Sequence, residues 1–138
     1  MYLVDTNIIS EIRKGAKANA GVKAFFLGAI RDGAALYVSA ITIGEMRRGV
    51  EILRHRGDEN QAHRLEQWLV QVVEGYEDNI IGFDAEMAQV WGRLRVPNKE
   101  HELDKQIAAT ALLNDLVVVT RNTKDFVSTG VKLLNPFI

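Results

Sequence analysis

The chain has 138 residues, 47% hydrophobic and 25% charged, enough for one domain (1–138) with a sizeable core and too few for two. Its formal net charge of −1 excludes a generic polyanion binder, so any nucleic-acid surface must be a local patch. The absence of cysteine excludes disulfides, thiolate metal sites and a cysteine nucleophile and fits a reducing cytoplasm, Asp5 interrupts the N-terminus too early for a secretory signal core, and no apolar run approaches the ~18 residues of a membrane span.

In chain order, Tyr2-Leu3-Val4 reads as a short buried strand entering the tight turn Asp5-Thr6-Asn7. Ile8 to Lys14 follows as a short helix, stopped by Gly15. Val22 to Ile30 is a second helix with Phe25, Phe26 and Ile30 as its apolar stripe, ended by Asp32-Gly33. Leu36 to Ser39 is the second strand. Thr42 opens a third helix, with Ile43, Met46, Val50 and Leu53 on one side and Arg47, Arg48, Glu51 and Arg54 on the other. Gly57-Asp58 breaks it, and a long fourth helix buries Leu65, Leu69, Val72 and Tyr76. Asn79 to Phe83 is a third strand. Asp84 caps a fifth helix carrying Met87, Val90, Trp91 and Leu94, which Pro97-Asn98 ends. A charged loop leads to a sixth helix with Leu103, Ile107, Ala108, Ala111 and Leu112 on its stripe. Leu116 to Thr120 is the most β-like run, followed by a short helix around Asp125 to Thr129 and a last strand, Val131 to Leu134.

Strands alternating with helices predict an α/β fold: a parallel sheet, right-handed crossovers and helices on both faces. In such a sheet ligands bind at the carboxyl ends of the strands, and Asp5 sits at that end of the first, central strand. Glu45, Asp104 and Asp125, with Asn122 three residues before it, fall at strand ends or early helix turns of the same rim. Each has a structural alternative. Asp5 or Thr6 can cap a helix, Thr42-x-x-Glu45 and Asn122-x-x-Asp125 read as capping pairs, and Asp104 suits a helix N-terminus. Convergence argues for more. Two unit charges ~4 Å apart repel by ~4 kcal/mol at an effective dielectric of ~20, so a four-acid rim implies a cation. Hard oxygen donors point to Mg²⁺ or Mn²⁺. His55, His63 and His101 lie in polar stretches without ligand spacing and read as surface residues. An aspartate-nucleophile phosphatase would need a second aspartate where the chain has Asn7.

The segments LVDTNIISE (Leu3–Glu11), SAITIGEMRRGV (Ser39–Val50), LDKQIAATALL (Leu103–Leu113) and VVVTRNTKDF (Val117–Phe126) resemble, in order, the four motif blocks of PIN-domain ribonucleases, most of all the VapC toxins of type II toxin–antitoxin systems. The resemblance implies a three-layer α/β/α sandwich around a parallel sheet of about five strands and Mg²⁺- or Mn²⁺-dependent hydrolysis of RNA phosphodiesters. Asp5, Glu45 and Asp104 match the family's acidic positions, with Asp5 and Asp104 as metal ligands. Thr6 and Ser39 match flanking hydroxyl positions, and Asn122 with Asp125 forms a joint fourth element. Arg47, Arg48, Arg93, Arg95 and Arg121 are candidates for RNA phosphate contacts or for solvated surface charge. The implied partners are a second copy of the chain and a VapB-like antitoxin, extending to a larger complex that binds DNA through the antitoxin. Met46, Leu53, Trp68 and Trp91 are then candidate antitoxin contacts, with core burial as their alternative use. A different class stays open: a partner-binding regulatory PIN-like module, associated with DNA, with weak or no nuclease activity.

Overall fold

The computed structural model describes residues 1–138. Strands β1 (Tyr2–Val4), β2 (Leu36–Ser39), β3 (Ile80–Ile81), β4 (Val117–Val119) and β5 (Leu133–Leu134) pair in parallel throughout, in the order β3-β2-β1-β4-β5. The first strand is therefore central, as expected. From it the chain steps outward to β2 and β3, then crosses back to β4 and β5 on the other side. The order reverses between β1 and β4, where an open α/β sheet forms its ligand crevice.

Successive strand residues point to opposite faces, and each face has its own core. Val4, Val38 and Val119 pack with Ile8 and Ile9 of α1 (Thr6–Ile12), Val22 of α2 (Ala20–Asp32), Met46 and Val50 of α3 (Ala40–His55), and Leu69 and Val72 of α4 (Glu59–Gly75). Leu3 and Val118 pack with Ile107, Ala108 and Ala111 of α6 (Glu102–Asn114) and Phe126 of α7 (Thr123–Phe126), with Leu94 of α5 (Ala85–Leu94) alongside. The result is the three-layer sandwich. Fully burying a side chain such as Leu3 or Ile107 contributes about 1.5–3 kcal/mol, so the two cores fix the strand register that builds the rim.

Several local expectations change. The third helix starts at Ala40, because Ser39 Oγ accepts from Ile41 N and caps it. Thr42 lies inside the helix, fully buried, with its hydroxyl unpartnered, so the Thr42–Glu45 capping box does not form. The Asn122 side chain makes no cap bond either; only the backbone turn from Asp125 N to Asn122 O closes. Ile30 is exposed, since the buried face of α2 runs through Val22 and Ala29 and the next residue lies ~100° further round. Leu103 and Leu112 are also exposed: the covered side of α6 runs through Ile107, Ala108 and Ala111 instead. The third strand shrinks to the edge pair Ile80–Ile81, pinned by Asn79 Nδ2 donating to Leu36 O.

Candidate functional site

Pairing Val4 with Val119 places Asp5 and Thr120 side by side just beyond the strand ends. Asp5 N donates to Val119 O at 2.9 Å, extending the ladder one step. The Asp5 carboxylate is only 4% exposed and takes three hydrogen bonds: Thr6 N to Oδ1 at 2.8 Å, Thr120 Oγ1 to Oδ2 at 2.8 Å, and Asn7 Nδ2 to Oδ2 at 3.2 Å. Asp5 thus does cap α1, and the cap and the site are one residue. Burial pushes its carboxyl above the usual range, and the nearby Asp125 charge adds to that, against the three hydrogen bonds.

Glu45 stands in the second turn of α3, where Thr6 Oγ1 donates to its Oε1 at 3.2 Å. Its carboxyl is raised by burial first, then by the charges of Asp5 and Asp104. Asp104 is the third residue of α6, and burial with the Asp5 and Asp125 charges lifts it to about 6. Asp125 projects from α7, with its Oδ1 3.8 Å from His101 Nε2; on the other side of the ring, His101 Nδ1 is 4.0 Å from Asp104 Oδ2. The structure therefore brings Asp5, Glu45, Asp104 and Asp125 to one rim, supplied by β1, α3, α6 and α7.

A PIN domain family model matches residues 2–132. The chain belongs to the PIN domain family. It is similar to Toxin FitB of Neisseria gonorrhoeae, at 36% identity over 99% of both chains. It is also similar to VapC ribonuclease Y4jK of Sinorhizobium fredii, at 30% identity over 99% of this chain and 98% of that one. The solved FitAB complex bound to the IR36 DNA fragment superposes with a TM-score of 0.74 at 34% identity, covering 99% of this chain and 95% of that one.

Within this PIN domain, the roles of three site residues, Thr120, Asn7 and His101, were not legible in the sequence. Thr120 Oγ1 donates to Asp5 while accepting from Asn7 Nδ2 at 3.2 Å and from Asn122 N at 3.0 Å. Asn7 in turn accepts from Arg121 N at 3.0 Å, so it fastens the end of β1 to that of β4. His101 is half exposed, as a surface residue should be, yet stands between two site acids. Ser39 caps α3 through its hydroxyl, which accepts from Ile41 N, and the main-chain amide of Asn122 donates to Thr120 Oγ1.

The arginines divide. Arg47 is held by Glu66, joined by Glu51 at 3.4 Å, in an exposed cluster that Arg54 shares. Arg95 lies 4.4 Å over the Trp91 ring and reaches Glu102 at 3.3 Å; Arg121 lies 4.6 Å over Phe137. Arg48 and Arg93 are exposed and form no ion pair. Beside Glu45 opens a cavity of about 230 Å³, walled by Thr6, Ser10, Met46, Trp68 and Leu69.

The donor set fits a hard divalent cation. A carboxylate offers about four lone-pair sites, and three on Asp5 are occupied, both on Oδ2 and one on Oδ1. The remaining Oδ1 site can give one metal bond. Asp104 carries no hydrogen bond on its carboxylate and is raised by neighbouring acids, so a cation there would relieve real repulsion.

Proposed function

We propose that this PIN-domain protein is a Mg²⁺- or Mn²⁺-dependent endoribonuclease, the toxin of a type II toxin–antitoxin pair. The observation that carries it is Asp5. A carboxylate this buried, at the reversal point of a parallel sheet, fixed by three hydrogen bonds and surrounded by further acids, is costly unless the site receives a cation.

Asp5 and Asp104 hold the ion in this reading, and the Asn122/Asp125 element and Glu45 complete the site. The ion supplies charge neutralisation of the phosphoryl oxygens and acidifies water in the crevice. Glu45, raised by burial and with Thr6 fixing one oxygen, is placed to take the proton of an attacking water. Thr120 and Asn7 keep Asp5 from rotating as the phosphate enters. Water attacking phosphorus in line opposite the 3′ oxygen expels that oxygen, which takes up a proton, and so leaves a 5′-phosphate and a 3′-hydroxyl; no 2′,3′-cyclic phosphate forms because the 2′-hydroxyl is not the nucleophile. Arg48 and Arg93 are the arginines left free to meet phosphates.

For partners, FitB is named a toxin and FitAB was solved on DNA. By that likeness this chain is neutralised by a small antitoxin and joins a DNA-binding complex through it; the homodimer rests on the resemblance to VapC toxins. The cavity beside Glu45, with Trp68 in its wall, suits an antitoxin side chain that blocks the acids. Trp91, stacked on Arg95, is a weaker candidate, and Met46 belongs to the core.

Sequencing RNA ends after brief expression, beside an Asp5→Asn control, tests the reading. Discrete new 5′-phosphate ends that vanish in the control are expected. Identical end profiles in both would leave only the partner-binding module. Light scattering of the purified chain should give a dimer at micromolar concentration; a monomer would remove the homodimer.

A further inference from the structure

The loop between α5 and α6 is fastened far more firmly than its exposure suggests. Arg95 stacks on Trp91 and pairs with Glu102, while Trp91 Nε1 donates to Glu102 O at 3.1 Å. The Lys105 ammonium, buried at 3% exposure, donates to Asn98 O with no carboxylate partner. These contacts present His101 in the left-handed region, at φ 59°, directly before α6. Its ring nitrogens face Asp125 and Asp104 at 3.8 and 4.0 Å. One donor atom from each of the three side chains lies within 4.8 Å of the other two. Donors sharing one ion at ~2.0–2.2 Å lie ~3 Å apart when adjacent and ~4.4 Å when opposite, so the trio closes on an ion by drawing in by about an ångström, which partly exposed side chains on a loop and two helix starts can do.

We propose that His101 is a metal ligand which, with Asp104 and Asp125, makes the outer half of the site a mixed imidazole–carboxylate position selective for Mn²⁺ and later first-row divalent ions over Mg²⁺. The proposal rests on the nuclease reading of the same acids. Imidazole suits transition ions such as Zn²⁺, Cu²⁺, Fe²⁺ and Ni²⁺, whereas carboxylates alone suit Mg²⁺, Ca²⁺ and Mn²⁺. Asp5 stands outside this trio, in which His101 is the only nitrogen donor. His55 and His63 are exposed on α3 and α4 and join no such group.

Co²⁺ is the probe, added to the full chain and read by proton NMR and calorimetry. The wild type should show one hyperfine-shifted, solvent-exchangeable ring N–H. His101→Asn and His101→Gly both tolerate positive φ, and matching melting temperatures check that they fold. Both should lose that signal and bind Co²⁺ at least about tenfold more weakly, with Mg²⁺ affinity changed less than about twofold. Asp5→Asn should keep the signal. A shifted N–H persisting in both His101 variants, unchanged Co²⁺ affinity, or no Co²⁺ binding by wild type overturns the assignment. Wild-type RNA cleavage in Mg²⁺ and in Mn²⁺, measured alongside, judges the nuclease reading separately: cleavage in neither overturns that reading, whatever Co²⁺ shows.

Discussion

The two halves of the rim are built by different physics. The inner half, Asp5 with Thr120 and Asn7, hangs on adjacent strand ends and is buried, with its oxygens nearly saturated by donors. The outer half, Asp104 and Asp125 with His101, hangs on helix starts and a loop. Its side chains are 24%, 35% and 50% exposed, and its groups face one another near 4 Å without a hydrogen bond. Backbone register sets the inner half, so it is ready before any ligand arrives. Charge sets the outer half, so it can adjust to an ion and a phosphate.

The largest effect should come from the inner half. Asp5→Asn removes its only charge and should lower RNA cleavage by at least about a thousandfold, the loss of several kcal/mol of transition-state stabilisation. Residual activity near wild type in a gel assay would put the essential charge elsewhere.

Thr120→Val comes next. It strips the strongest donor from Asp5 Oδ2 and leaves the Asn122 amide without its acceptor. Unmaking such bonds costs about 1–3 kcal/mol, so denaturant unfolding should show a loss of that size. Thr120→Ser should recover most of it. A serine variant as unstable as the valine one would show that the methyl group, not the hydroxyl, matters.

Asp125→Asn should reduce cleavage only about tenfold, about 1.4 kcal/mol, because Asn122 and Asp104 remain on the same side. Asn122→Ala in that background should lower it further. Loss as complete as in Asp5→Asn would erase the distinction between the halves.

The smallest effect concerns stability and has a definite sign. Asp104 titrates at about 6 in the fold against 3.8 ordinarily. Between those values the folded chain holds the extra proton, so stability falls as pH rises from 3.8 to 6 and stays lost above it. The metal-free chain should therefore melt lower at about pH 7.5 than at about pH 5. Asp104→Asn should reduce that difference and raise the neutral-pH Tm by a few degrees, as ~1 kcal/mol moves Tm by roughly 2–8 °C at this size. Asp5→Asn should gain less, because the three donors at that carboxylate offset part of the cost of its burial and would face an amide group instead. Equal gains in calorimetry would contradict that difference.

These contrasts also explain what the sequence could show. The central strand, the parallel sheet and the acid at the end of β1 were legible because apolar runs, turns and helical stripes are local. Glu45 was found, but with the wrong cap: the strand end at Ser39 was read correctly, yet the helix follows it without a turn, so Ser39 rather than Thr42 caps α3 and Thr42 is buried inside it. Thr120 looked like an ordinary strand residue. Its role depends on pairing Val4 with Val119, a register that no local pattern contains. His101 was hidden for a similar reason: α6, α7 and a fastened loop bring it to Asp125 across the sequence.

Cleavage of a defined RNA by the purified chain, with the new ends identified, decides whether the acid rim is a metal-dependent nuclease site. Cleavage should require Mg²⁺ or Mn²⁺, stop in chelator, disappear in Asp5→Asn and leave 5′-phosphate and 3′-hydroxyl ends. Chelator-resistant cleavage, or 2′,3′-cyclic phosphate ends, would contradict it.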